Sequence, residues 1–301
     1  LSTQGKAYVA GLCAVLAWST VATAFKLSLR YLHPATLVLY ASAFSLMVLL
    51  GILALQRRLG ELPAALKQHW LRALLLGAIN PFLYYLVLFK AYDLLRAQEA
   101  QAINYTWALT MTLLAIPLLK QRLKWQDALA ALVCYLGVVV IASHGALFSL
   151  HYTSPKGIGL ALLSTLLWAV YWLMNTKDPR EPIIGLTLNF ALSMPLALIW
   201  SACTGTLQMV PWQGMAGAAY IGTFEMGVTF VLWLQAMRLT EHTARIANLI
   251  FLSPLLSLTL IHLILKEPVP AATTIGLSLI LGGLLLQKVP DHRWRQLQRH
   301  R

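Results

Sequence analysis

The sequence has 301 residues, 59% of them hydrophobic and 11% charged, with a mean hydropathy of +0.69. A soluble domain carries about 25% charged residues, so the chain reads as an all-α integral membrane protein whose length counts spans of about 20 residues rather than globular domains. A net charge of +13 would suit a nucleic-acid binder, but the basic residues sit in the connections between apolar runs, and no nucleic-acid partner is expected.

Ten apolar runs bounded by charged or turn-forming residues fall at roughly 7–25, 34–55, 72–90, 98–119, 126–145, 156–176, 182–204, 213–236, 243–265 and 270–288. Their short connections leave no room for a soluble catalytic domain. The first run has features of a secretory signal, with Lys6 ahead of it and Ala22-Thr23-Ala24 near its end. Removing it would leave an odd number of spans and orphan a helix that has a partner later in the chain, so it is read as a retained span. Its Trp18 and Thr20 are candidates for lining a cavity. In the third run, Asn80-Pro81 frees a backbone carbonyl at membrane depth, which is tolerated only under cover of protein or trapped water. Tyr84 and Tyr85 follow within about one turn, so that one of them shares a cavity face with Asn80; a structural kink with lipid-facing tyrosines is the alternative.

The fourth run is the most polar of the first half, reading Gln98, Gln101, Asn104, Tyr105, Thr106, Trp107, Thr110 and Thr112 before Pro117, and it cannot face lipid all round. Gln101, Asn104 and Ala108 form one stripe, as do Arg245, Asn248 and Leu252 in the ninth run. Asn104 and Asn248 are candidate ligands for an amino-acid carboxylate or amine, or else ordinary interhelical hydrogen bonds. Trp168, Tyr171 and Trp172 in the sixth run, with Phe224 and Phe230 in the eighth, could stack an aromatic ring or a cationic head group; core packing competes for each. Glu225 is the one acid of ten that lies deep inside a run. A carboxyl there marks a proton site, a partner for a substrate ammonium, or a protonated group bonded to a neighbouring helix. Pro81, Pro117 and Pro254 are candidate hinges, rigid kinks being the alternative. Cys13, Cys134 and Cys203 fall in separate runs with no CxxC spacing, so neither a metal site nor a cofactor is expected.

With a cytoplasmic amino terminus, 17 of the 23 basic residues fall on the cytoplasmic side and only Lys26, Arg30, Lys90, Arg96, Lys156 and Lys266 on the other. This bias places both termini in the cytoplasm, with residues 290–301 as a basic tail. Anionic lipid is then partner enough for the positive charge. The chain also repeats itself. Trp18 and Trp168 hold the same place in their spans, and a shift of 145 lays Leu88–Gly137 on Trp233–Gly282, pairing Gln121-Arg122-Leu123 with Lys266-Glu267-Pro268. Five spans per copy is an odd number, so residues 151–289 are expected to insert upside down relative to residues 1–150, around a central cavity.

Lys266-Glu267-Pro268 followed by Gly276 and Gly283 resembles the junction into the last helix of the EamA-type, ten-helix branch of the drug/metabolite transporter superfamily. The likeness covers roughly residues 7–287 and is weaker in the first half, where Arg122 and Ala131 replace the family's glutamate and glycine. Within the branch the chain is most similar to the YddG-type exporters of aromatic amino acids. That resemblance implies export of small amphipathic metabolites, aromatic amino acids foremost, from the cytoplasm of a bacterium across its inner membrane, by facilitated or proton-linked alternating access. Cationic drugs and other metabolites are the alternative cargo. An intramembrane enzyme is the rival class; the sequence has no HExxH, no GxSxG and no Gly-rich phosphate loop, and no catalytic residue is expected.

Overall fold

The computed structural model describes residues 2–119, 125–145, 154–175, 177–207, 209–240, 246 and 249–286. Among them there is no strand, and ten helical segments follow one another, each overlapping one expected span. In order they are Thr3–Ser28, Pro34–Leu55, Glu61–Leu94, a fourth in two pieces (Ala97–Asn104 and Trp107–Leu119), Trp125–Ala142, Pro155–Asn175, Pro182–Cys203, Trp212–Leu239, Leu249–Leu265 and Ala271–Leu286. Seven of these are long and apolar enough to cross a bilayer unaided; the two-piece fourth, the ninth and the tenth are not among them.

The burial pattern is that of a bundle solvated by lipid. On the first helix the small residues Ala7, Ala14 and Ala22 are buried while Leu12 and Leu16 face outward, Leu16 at 56% exposure. Hydrocarbon offers no penalty for exposed leucine, so the interior is taken by residues that let backbones approach. Gly137 and Gly276 show this where the fifth and tenth helices meet: a methyl on either would collide with the other's carbonyl. Gly283 lies against Cys134 at the same interface. Local signals set the helix starts. Pro34 and Pro182 stand in first turns, where no N–H is needed, preceded by His33 and Glu181, whose side chains accept the free N–H groups of Ala35 and of Ile183 and Ile184.

The first helix packs on the eighth and ninth, the second on the seventh and eighth, the third on the sixth and seventh, the fourth on the sixth, and the fifth on the tenth. Three segments widen to a π-type turn: Ala78–Leu83 around Pro81, Ile221–Val228 around Glu225, and Ile261–Leu265. Such turns leave carbonyls and side chains off the regular ladder and are frequent at functional sites. Two of the three expected hinges do not coincide with a break. Pro117 lies inside the continuous piece Trp107–Leu119; the fourth helix breaks instead at Tyr105–Thr106, where the Thr106 hydroxyl donates to the Ile103 carbonyl (2.8 Å). Pro254 sits in the first turn of the stretch Leu252–Leu260, where its missing N–H disrupts nothing. Only Pro81 follows a residue, Asn80, with non-helical backbone (φ −142°, ψ 118°). The third segment begins at Glu61, eleven residues before the apolar run at 72, because a short amphipathic helix precedes that run across a break at His69 (φ −131°, ψ 22°). Residues 290–301, Arg122 and Asn248 lie outside the described residues.

A central cavity with one acid

A cavity of about 410 Å³ lies in the middle of the bundle. The first helix contributes Trp18, Val21, Ala22 and Phe25, the third Tyr84, Leu88 and Tyr92, and the broken fourth Gln101, Asn104, Tyr105, Trp107, Ala108 and Met111. Trp168 and Trp172 of the sixth helix, Glu225 and Trp233 of the eighth, Ile250 and Phe251 of the ninth and Leu284 of the tenth close it. Glu225 is the one formally charged residue of this lining.

Glu225 is 8% exposed and belongs to the widened turn of the eighth helix. Its Oε1 accepts the Tyr85 hydroxyl (3.1 Å), its Oε2 has no hydrogen-bond partner, and the Trp18 side chain stands beside the carboxylate. The turn is held by the Thr229 hydroxyl, which donates to the Phe224 carbonyl, and by Gly222, whose missing side chain lets it rest on the Ala41 carbonyl of the second helix. A buried carboxylate with one oxygen bonded and one without a partner is costly unless a donor, a cation or a proton completes it.

The walls are aromatic and mutually supporting. Trp168 lies 4.5 Å from Tyr84 at an interplanar angle of 32°, with Trp172, Phe230, Tyr171 and Trp107 within 6.5 Å, measured between ring centroids. Phe230 backs this cluster, stacked on Trp172 (6.2 Å, 19°) and edge-on to Trp18 (6.0 Å). Asn104 donates to the Ser164 hydroxyl (2.9 Å), which orients its amide at the cavity wall. Such rings offer faces to an aromatic or cationic guest with little rotamer entropy to lose.

Of the expected site residues, Trp18, Tyr84, Gln101, Asn104, Trp168, Trp172 and Glu225 line the cavity. Tyr85 and Tyr171 do not; both are buried just behind it, Tyr85 holding Glu225. Asn80 is buried away from it, its Oδ1 without a hydrogen-bond partner. Thr20 is on the wrong face: it bonds the Tyr220 hydroxyl (2.6 Å) and lines a separate groove of about 390 Å³. Phe224 is 40% exposed and packs on Tyr220 outside the cavity, since neighbouring helix residues point about 100° apart and Glu225 takes the inward direction. Phe25, Tyr92, Trp107 and Trp233 were not singled out as lining residues. Their spacing carried the signal, because Phe25 follows Trp18 by seven residues, Tyr92 follows Tyr84 by eight and Trp233 follows Glu225 by eight, each the same helix face.

Beyond the cavity, the connection between the sixth and seventh helices is tied by ions. Arg180 forks onto Asp178 (2.6 Å) and reaches Asn189 (3.0 Å), and Arg72 lies 3.8 Å from Asp178. Burial raises the Asp178 carboxyl, but the Arg180 hydrogen bonds outweigh it and hold the group below its ordinary range.

Comparison with known proteins places this geometry. The chain is 23% identical over 282 residues to an uncharacterised transporter of Archaeoglobus fulgidus, covering 89% of this chain and 94% of the relative. It is 32% identical over 148 residues to the inner membrane protein YtfF of Escherichia coli K12, covering 44% and 46% of the two chains. A solved crystal structure shares the fold at a TM-score of 0.65 and 22% identity, covering 95% of this chain and 99% of that one. The profile of the EamA-like transporter family matches twice, at residues 5–143 and 155–287, nearly the whole length. This chain is a multi-pass membrane protein and belongs to the EamA-like transporter family.

Proposed function

We propose that the protein exports small aromatic solutes that carry an amine, aromatic amino acids foremost, through the central cavity. The observation that carries this reading is the half-bonded Glu225 carboxylate, alone in charge among the lining residues and walled by indole and phenol rings. A substrate ammonium would complete the hydrogen bonding of Oε2, and its ring would lie among Trp18, Tyr84, Trp168 and Trp172, where a desolvated cation–π contact is worth about 2 kcal/mol. The amide groups of Gln101 and Asn104 are among the neutral donors available to a carboxylate. A volume near 400 Å³ lies in the range that small-molecule pockets occupy.

Alternating access between two inverted halves, residues 1–150 and 151–289, is the motion that suits this site. It is supported by the helix pairings, since moving each pair on by five helices turns first-on-eighth into sixth-on-third and first-on-ninth into sixth-on-fourth. The two family matches follow the same division. The excess of basic residues in one set of connections supports cytoplasmic termini in a bacterial inner membrane, and Glu225 is the group that would link transport to protons. One observation favours a second reading: among the described residues no Lys, Arg or His lines the cavity, which suits aromatic cations without a carboxylate.

Uptake into sealed liposomes containing the purified protein tests both readings. Saturable movement of phenylalanine and tryptophan, blocked by N-acetylation of the amine, is the expected result. Movement of phenethylamine without phenylalanine would select the cationic reading. Retention of all of them outside, with the protein folded, would remove aromatic amines as cargo.

A further inference from the structure

The first helix lines two different spaces. Trp18, Val21, Ala22 and Phe25 face the central cavity, whereas Thr20, Thr23, Ala24, Leu27, Ser28 and Tyr31 line the separate groove of about 390 Å³. The two sets are offset by two residues, about 200° around the helix axis, so the groove lies on the back of the cavity wall. The eighth helix borders it with Gln213, Gly217 and Tyr220, and the ninth with Leu260 and Ile264. Tyr31 and Ile264 are exposed, so the groove opens on the outside of the bundle, where the bilayer is. Its border with the eighth helix is fixed at two levels, by the Thr20–Tyr220 hydroxyl contact (2.6 Å) and by Gly217, where a methyl would collide with the Ser28 side chain.

In hydrocarbon a helical serine or threonine satisfies its hydroxyl by donating to a carbonyl of the preceding turn. Ser19 does so to Val15, Thr20 to Ala17 and Ser28 to Ala24, each at 2.7 Å. Thr23 does not. It is 4% exposed, and among the described residues its Oγ1 has no hydrogen-bond partner. Ser19 meets Ser253 of the ninth helix (3.5 Å), and one turn beyond Ser253 the Ser257 hydroxyl is also buried and unpartnered among the described residues. Thr23 is itself one turn beyond Ser19. Two donors on adjacent helices thus lack an acceptor beside an apolar groove, and a single carbonyl oxygen, with two lone pairs, can accept from both.

We propose that this groove binds one diacyl phospholipid of the leaflet opposite the amino terminus, an ester carbonyl accepting from Thr23 and Ser257 and an acyl chain lying along Ala24, Leu27, Leu260 and Ile264. The depth suits an ester. Thr23 stands five residues, about 7.5 Å, before the end of the first helix at Ser28, beneath Tyr31, a residue type enriched at the headgroup level. The ester carbonyls are the acceptors that a bilayer supplies just below its headgroups, and the chains beneath them supply none. The bound lipid packs on the back of the helix that carries Trp18 and Phe25 into the cavity, whatever that cavity transports.

The test separates the carbonyl from the chain. Purified protein in detergent is titrated with dioleoyl phosphatidylcholine or with its diether counterpart, which lacks only the two carbonyls, and bound lipid is counted by native mass spectrometry. One saturable lipid per protein is expected, the diester binding about tenfold tighter than the diether. Thr23→Val, which keeps the shape and removes the donor, should lower that ratio, and Ser257→Ala added to it should bring the two lipids level. Ala24→Leu, which fills the groove, should weaken both alike. Thr259→Val is the control on the exposed side of the ninth helix, where the hydroxyl already donates to the Leu255 carbonyl (3.1 Å), and should keep the parent's ratio. Equal affinity for the two lipids in the parent, an unchanged ratio in the double variant, or lipid that binds without saturation overturns the proposal. A dimer that excludes lipid overturns it too, giving the groove to a second copy of the chain. No cargo is present, so these outcomes are distinct from failure of the liposome uptake.

Discussion

Glu225 and Asp178 are both acids withdrawn from solvent, and the structure treats them in opposite ways. Asp178, its side chain 6% exposed, is gripped by the Arg180 fork, with Arg72 beyond. Glu225, 8% exposed, has one tyrosine hydroxyl on one oxygen and nothing bonded to the other. A buried charge without a counter-charge is costly, so it persists where a ligand or a proton can complete it; a charge already completed has nothing left to offer a ligand. The first arrangement ties a loop, and the second leaves an oxygen open to a ligand or a proton, the feature on which the proposed export rests.

The sharpest way to break this contrast is to remove the grip. Arg180→Met leaves the Asp178 carboxylate buried without its main partner, and the loss of stability should be about 3–5 kcal/mol, read as a fall in thermal unfolding temperature in detergent. Glu225→Gln should do the reverse: the unfolding temperature stays near that of the parent, while uptake of the aromatic amine falls by about tenfold or more, the loss of one charge-assisted hydrogen bond. Equal loss of stability in the two variants would erase the distinction. Tyr85→Phe, which frees Oε1 of Glu225, should cost about 1 kcal/mol and appear as a several-fold rise in KM rather than a loss of the protein. Acid sharpens the comparison further. The Asp178 carboxyl is held below its ordinary range, so its contribution is complete above that range and is lost as pH falls through the lowered value. Thermal stability should decline below about pH 4 in the parent and decline less in Asp178→Asn. The smallest effect belongs to the surface: Arg58, partly exposed, pairs with Glu61 at 2.7 Å and lies 3.6 Å from Glu181, and Arg58→Gln should lower stability only slightly and leave uptake unchanged.

How far the site was legible depended on what kind of signal each residue sent. Glu225 could be found because an acid at membrane depth stands out among apolar neighbours, whether it serves a proton, a substrate or a neighbouring helix. Trp18, Tyr84, Asn104 and Trp168 were found by polarity or aromaticity at helical spacing, yet Phe25, Tyr92 and Trp233 sent the same signal and were lost among the interfacial aromatics that every such bundle carries. Thr20 and Phe224 show the limit from the other side. Each neighbours a stretch that lines the cavity, and each points elsewhere, because the rotation of a helix about its own axis is set by what packs against it. Pro117 and Pro254, expected as hinges, lie inside helical stretches, for a proline disrupts only the turn that needed its N–H, and the neighbouring turns decide which that is.

By itself the sequence determined the class of the molecule: its apolar length, the spacing of its charged connections and the helix starts at Pro34 and Pro182 follow from solvation and backbone hydrogen bonding, which act locally. Tertiary structure decided which oxygen of Glu225 is left without a hydrogen bond, that Lys26 donates to the carbonyls at the end of the third helix, and that Asp178 is held by arginine while Glu225 is not. Those facts join residues such as Tyr85 and Glu225, 140 positions apart in the chain, and only packing brings such pairs within reach of a hydrogen bond.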